Sequence, residues 1–220
     1  MLGVNSVKKL VFRNTKLAAP KYSFGIEPIQ LATLIFEIDR LKDVAGSIAE
    51  IGVARGRTTR FICEHLVASG YADQEIYAID TFSSFLDSDI DFEAKHRGKR
   101  AKDLKGMFDY NDFEVWKRNF VDFPFVKAIQ GDCGAFDYSS IAPIKVAFLD
   151  VDLYLPTKRT LPKIYENLCA GGVILIDDVW KADENKPGLF DGARHAYMEF
   201  CDDLKIVPTI IGNKCGIIRK

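Results

Sequence analysis

Residues Val146–Val179, VAFLDVDLYLPTKRTLPKIYENLCAGGVILIDDV, decide the fold. Two apolar runs, VAFL and VILI, each lead into acids: Asp150 and Asp152 after the first, Asp177 and Asp178 after the second. Between them Leu161, Ile164, Tyr165 and Leu168 recur at helical spacing, and Ala170-Gly171-Gly172 marks a stop. Strand, helix, glycine stop and strand predict a βαβ unit with two adjacent parallel strands. Parallel neighbours lie about 4.8 Å apart and end at the same sheet edge. Asp150 and Asp177, although 27 positions apart, are therefore expected to meet.

Carboxylates gathered at adjoining strand ends repel one another, and in a partly buried cleft they cannot all ionise unaided. Either protons are shared or a cation sits among them. No Lys or Arg flanks either aspartate pair within the strands. A hard divalent ion with oxygen ligands is the simplest neutraliser, and ligands of open α/β sheets bind at this edge. Aspartates that merely cap loops and helices are the competing explanation.

Outward from this unit the pattern repeats. Upstream, GSIAEIGV (46–53) reads as a strand, followed by the turn Ala54-Arg55-Gly56-Arg57-Thr58-Thr59 and a helix over 59–67. The E-x-G-x-x-x-G run departs from the dinucleotide fingerprint and lacks the Lys-Ser/Thr of a P-loop. Glycines at a strand-to-helix turn let a ligand approach backbone N–H groups. Glu50 suits a ligand that is cationic or carries amine donors. Residues 75–80, EIYAID, form a second strand; Asp80 at its end suits two ribose hydroxyls, and the ring of Phe82, after Thr81, is placed to cover an adenine face. A third strand, 125–130, precedes Gly131-Asp132-Cys133, where Asp132 can meet a purine amine or serve only as a turn residue.

The remaining segments fill in a single domain over 1–220. Residues 1–45 form an N-terminal cap: 1–25 look irregular, with Pro20 and Gly25 as breakers, and a helix over 28–41 lies on the sheet or roofs the site. Tyr22 and Glu27 read as loop residues rather than substrate contacts. Residues 83–123, rich in Asp, Lys, Arg and Phe, form a lid or insert with a short helix at 112–120; its basic run 95–105 reads as a solvated face. His195, in a helix over 191–204, reads as structural, and 206–211 with 216–219 form a closing hairpin.

Composition narrows the partners. Thirty basic against thirty-one acidic residues give a net charge of −1, so nothing in it suggests nucleic acid or a membrane surface. Five scattered cysteines without a C-x-x-C pair argue against a disulfide framework and a zinc site. Cys63 and Cys169 fall in helical patterns. No run approaches a membrane span, and a cytoplasmic protein is expected.

Five blocks in order, EIGVARG (50–56), AIDTF (78–82), LDVDLYLPTKRTL (149–161), CAGGVILIDDV (169–179) and DGARHAYMEF (191–200), resemble the macrocin O-methyltransferase (TylF-like) family of class I S-adenosylmethionine-dependent methyltransferases. The resemblance covers roughly residues 46–204. It departs at Val179-Trp180, where the family commonly has Tyr-Gly, and in a shorter N-terminal segment. It implies a doubly wound Rossmann-like α/β fold with a mostly parallel seven-stranded sheet and a C-terminal antiparallel hairpin. It also implies Mg²⁺-dependent O-methylation of a hydroxyl on a sugar, glycosylated metabolite or polysaccharide. Asp150, Asp177 and Asp178 would hold the metal, and Asp150 would double as general base. S-adenosyl-L-methionine would be held by Glu50, Gly52, Val53 and Gly56 with Thr58, by Asp80 with Thr81 and Phe82, by Asp132 with Cys133, and beside Asp150. Asp152 would be a fourth ligand or lie behind the first three. A catechol-like acceptor and a non-catalytic S-adenosylmethionine-binding protein are the alternatives, and assembly into a homo-oligomer stays open.

Overall fold

The computed structural model describes residues 4–16, 19, 21–181 and 188–220; the expected breaker Pro20 lies outside the described residues. In chain order the helices are α1 (Val4–Asn14), α2 (Pro28–Arg40), α3 (Arg57–Ser69), α4 (Asp87–His96), α5 (Ala101–Leu104), α6 (Phe113–Asn119), α7 (Tyr154–Asn167) and α8 (Asp191–Asp203). The strands are β1 (Ser47–Ile51), β2 (Ile76–Asp80), β3 (Val126–Gln130), β4 (Ile144–Leu149), β5 (Leu168–Ile176), β6 (Thr209–Ile211) and β7 (Cys215–Arg219). The sheet order is β3-β2-β1-β4-β5-β7-β6. The first five strands are parallel, and β7 runs antiparallel to both β5 and β6.

Continuous apolar runs in β1, β4 and β5 follow from burial on both faces. Val146 and Phe148 of β4 join one core with Leu34 and Ile38 of α2 and Ile62 and Leu66 of α3. Ala147 and Leu149, pointing the other way, join a second core with Leu161 and Ile164 of α7 and Tyr197 of α8. The chain winds outward from β1 in one direction and from β4 in the other, so the order reverses between them. Open α/β sheets bind ligands at such a switch point.

Three sequence expectations need correction. Residues 4–14 are not irregular but form α1. The residues after α7 do not stop at the glycines: β5 begins at Leu168 and runs through Gly171 and Gly172, with a register shift against β4 between Ile144 and Val146. Cys169 therefore lies in a strand, not a helix; all five cysteines are free. The 83–123 insert contains α4 and α5 as well as α6. Asp-Ser-Asp-Ile-Asp-Phe-Glu-Ala-Lys-His shows no apolar helical stripe, because α4 buries Asp89 and Glu93 alongside Ile90.

Candidate active site

A cavity of about 710 Å³ opens at the C-terminal ends of the parallel strands. The backbone ladder brings its walls together. Gly52 N donates to Ile79 O (2.9 Å), Asp150 N to Ile51 O (2.8 Å) and Asp177 N to Leu149 O (2.9 Å). Because Leu149 pairs with Ile176, the next residues of the two strands, Asp150 and Asp177, are neighbours, as the βαβ reading requires.

On the β1–β2 side, Glu50 is buried and its Oε2 has no hydrogen-bond partner. Burial pushes its carboxyl up to about 8, and the nearby Asp80 adds to the shift. A buried carboxylate oxygen lacking a donor, on the wall of a cavity, is the feature an ammonium group would complete. Asp80 is differently placed. Its Oδ2 accepts from Val53 N (2.7 Å) and Ala54 N (3.1 Å), and its Oδ1 from Phe82 N (2.7 Å) and Thr81 Oγ1 (3.3 Å). Asp80 thus ties the glycine turn to the end of β2, and a ribose hydroxyl would have to share oxygens already in use.

Gly52 has φ +81°, and a Cβ there would sit 1.8 Å from the carbonyl oxygen of Asp150. The turn and the β4 aspartate pack too closely for any side chain. Gly56 (φ +76°) is required for another reason: a Cβ would meet the Phe120 ring at 2.6 Å. Ala54, Phe82, Asp152 and Asp178 also have positive φ, and all four belong to loops at this edge, where backbone strain commonly marks a functional site.

On the β4–β5 side, Asp150 and Asp152 line the cavity with Asp177 and Asp178. Burial raises the Asp150 carboxyl well above its ordinary range, with Asp177, Asp152 and Asp178 adding repulsion. Asp152 is raised by burial and by Asp178 and Asp177. The structure supplies a cation that inspection of the strands did not. Lys214 Nζ donates to Asp177 Oδ2 (2.7 Å) and Asp178 Oδ1 (3.0 Å) and lies 5.4 Å from the centre of the Trp180 ring. Burial opposes the charge on Lys214, but Asp177 and Asp178 outweigh it and hold the amine protonated. Gln30 Nε2 of α2 donates to the other oxygen of Asp177 (2.6 Å). Helix α2 packs on the sheet and reaches the aspartates through Gln30.

Among the described residues, no group of three or more carboxylate, imidazole or thiolate side chains is arranged to hold a metal ion. The donor chemistry nevertheless fits a hard divalent cation: four carboxylates converge on one cavity and a single ammonium faces them.

Of the other expected contacts, Val53, Thr58, Thr81, Asp132 and Cys133 line the cavity. Asp132 Oδ1 accepts from Gly134 N (2.8 Å), and burial pushes the Cys133 thiol up to about 11. Gly56 and Phe82 do not line it. The Phe82 ring is 2% exposed and packs against Phe113 (5.0 Å) and Trp116 (5.3 Å), so it is a core residue and not an adenine cover. Phe85 and Leu86 are on the wall instead. Asp89 of α4, absent from the sequence expectations, is buried on the wall, and its Oδ1 pairs with Arg159 at 3.6 Å without a hydrogen bond.

Glu27 caps α2 and also accepts from Asn213 N (2.9 Å) and Nδ2 (2.7 Å). His195 is structural: its Nδ1 meets Arg97 (2.8 Å), outside the cavity. The basic run is not wholly solvated, since Arg97 and Lys99 pair with Asp191 (2.8 Å each) and clamp the insert to α8.

The macrocin-O-methyltransferase (TylF) family model matches residues 29–209. A demethyldecarbamoylnovobiocin O-methyltransferase of Streptomyces niveus is 28% identical over 141 residues, 62% of this chain and 53% of its own; the chain thus spans about half the length of that curated relative. The calicheamicin methyltransferase CalS11 superposes with a TM-score of 0.69 at 20% identity, covering 96% of this chain and 85% of its own. The O-methyltransferase NovP gives 0.67 at 19%, covering 86% and 77%. At these identities the superpositions establish a shared fold, whereas the family model spans most of the chain and its acidic strand ends. The chain belongs to the macrocin-O-methyltransferase (TylF) family.

Proposed function

We propose that this chain transfers the methyl group of S-adenosylmethionine to a hydroxyl of a sugar or glycosylated small molecule, with Mg²⁺ held by Asp150, Asp177 and Asp178. The observation that carries the reading is the union of two acidic walls in one cavity. Glu50 offers an unpartnered buried oxygen on one side, and four aspartates converge on the other, with Gly52 packed directly against Asp150. The named activities of the relatives, on a novobiocin precursor and in calicheamicin methylation, favour a glycosylated acceptor.

In this reading Glu50 accepts from the ammonium of the donor's methionine end, Thr58 and Val53 border it, and Asp132 faces its purine. Asp80 fixes the turn and shares an oxygen with the ribose. A bound divalent cation would lower the pKa of a coordinated acceptor hydroxyl, which an ordinary alcohol needs before it can attack a methyl group. Asp150, ionised beside the cation, would receive that proton. Gln30 would keep Asp177 in orientation, while Lys214 would give way to the cation.

The test is mass-spectrometric detection of methyl transfer to a panel of nucleotide sugars and glycosides bearing vicinal hydroxyls. The expected outcome is one methyl ether per acceptor, lost in EDTA and in Asp150→Asn. Full transfer in EDTA would remove the metal from the account. Absence of both cofactor binding and transfer would remove the enzyme.

A further inference from the structure

Helix α1 stands apart from everything described above. It buries none of its residues. Val4 (72% exposed), Val7, Leu10 (61%) and Phe12 (70%) face outward. Val4, Val7 and Val11 follow i, i+3, i+7 spacing, with Leu10 beside them, so they form one apolar stripe. Lys8 and Arg13 flank that stripe, and Lys9 lies on the opposite face. The charge distribution is lopsided: residues 1–26 contain Lys8, Lys9, Arg13, Lys16 and Lys21 and not one Asp or Glu. The remainder of the chain is therefore net acidic, although the whole carries only −1.

An apolar stripe that large is costly in water and calls for a cover. Two physical arguments choose the cover. A two-fold symmetric contact through the stripe would bring the flanking Lys8 and Arg13 of two copies together, and like charges at close range oppose that packing. A basic amphipathic helix is instead complementary to an anionic lipid surface, where apolar residues enter the acyl boundary and lysine stems reach back to the headgroups. Eleven residues span about 16 Å, too short to cross a bilayer but suited to lying in its plane. Among the described residues no helix is long and apolar enough to span a membrane, which is consistent with surface attachment.

We infer that α1 docks this protein on anionic membrane surfaces through its apolar stripe and the basic residues bordering it. Downstream, Phe24, Gly25, Ile26 and Glu27 line the cavity, so the same N-terminal segment runs on from the helix to the cavity wall. The inference does not depend on the chemistry performed in that cavity.

The test is flotation of the full chain with vesicles of phosphatidylcholine alone and of phosphatidylcholine mixed with phosphatidylglycerol. Binding to the mixed vesicles only, weakened by salt, is expected. Lys8→Gln/Arg13→Gln should weaken it roughly 25-fold, about fivefold per charge, and Leu10→Asp should abolish it. All three positions are exposed, so the variants should keep the wild-type melting temperature. No binding to the mixed vesicles would overturn the inference, as would binding that the α1 variants leave unchanged. A wild-type dimer that Leu10→Asp converts to monomer by light scattering, without vesicle binding, would assign the stripe to a second copy and equally overturn it.

Discussion

The two acidic walls of the cavity solve the same problem in opposite ways. At the end of β2, Asp80 is saturated by protein donors: three backbone N–H groups and a hydroxyl hold its oxygens. Its charge is spent on locking the glycine turn. At the ends of β4 and β5, four carboxylates share one ammonium and one amide, and Asp150, Asp152 and Asp177 are all pushed toward protonation. Asp80 is satisfied by folding, whereas the second wall holds more negative charge than Lys214 alone offsets. A satisfied carboxylate does structural work, whereas a set left in mutual repulsion is a candidate binding site.

Removing members of the unsatisfied wall should separate activity from stability. Asp150→Asn is expected to lower methyl transfer about a thousandfold, about 4 kcal/mol of barrier, yet raise the melting temperature of the cofactor-free protein by relieving repulsion. Coupled loss of activity and stability would show that Asp150 is a structural residue like Asp80. Gly52→Ala strikes the seam between the walls. A Cβ 1.8 Å from the Asp150 carbonyl forces the strand ends apart, and a loss of about 3 kcal/mol in urea denaturation is expected; less than about 1 kcal/mol would mean the seam yields freely.

Lys214→Met leaves Asp177 and Asp178 without their cation and should cost about 2–3 kcal/mol. Most of that loss should disappear when Asp177→Asn is combined with it, because the two changes remove partners of one interaction. Strict additivity would show that the ion pair is incidental. The smallest effect on binding or turnover should lie at Glu50. Its carboxyl is raised from 4.5 to about 8, so the folded state keeps a proton that the unfolded state gives up. Its contribution to stability is complete below about pH 4.5 and is lost as the pH rises to about 8. Glu50→Gln should flatten that slope in a melting series and weaken S-adenosylmethionine about tenfold in calorimetry; an unchanged slope would mean Glu50 is already paired.

Much of this was legible in the sequence because adjacency in a parallel sheet follows from chain order. Asp150 and Asp177 were brought together by periodicity and the βαβ rule, and the glycine turn by its punctuation. What escaped notice depends on distant pairing. Lys214 reaches the aspartates because β7 inserts beside β5, placing Ile176 opposite Gly216, and Val179 N then donates to Lys214 O (2.7 Å). A hairpin predicted without its place in the sheet conceals that neighbour. Phe82 was misjudged because its strand-end position resembles a ligand contact, whereas the aromatic residues of α6 claim its ring. Helix α4 is hidden in the sequence because its buried side chains are acidic: Glu93 pairs with Arg97 one turn on, but its bond from the N–H of Tyr154 and the pairing of Asp89 with Arg159 need the insert folded against α7. Net charge likewise averaged away the basic N-terminal segment.

The most direct test of the shared cation pocket is the anomalous signal of Mn²⁺ in crystals grown with S-adenosylhomocysteine. The account predicts one peak about 2.1 Å from carboxylate oxygens of Asp150, Asp177 and Asp178. A map with no peak there, and with the Lys214 ammonium still bound to Asp177 and Asp178, would contradict it.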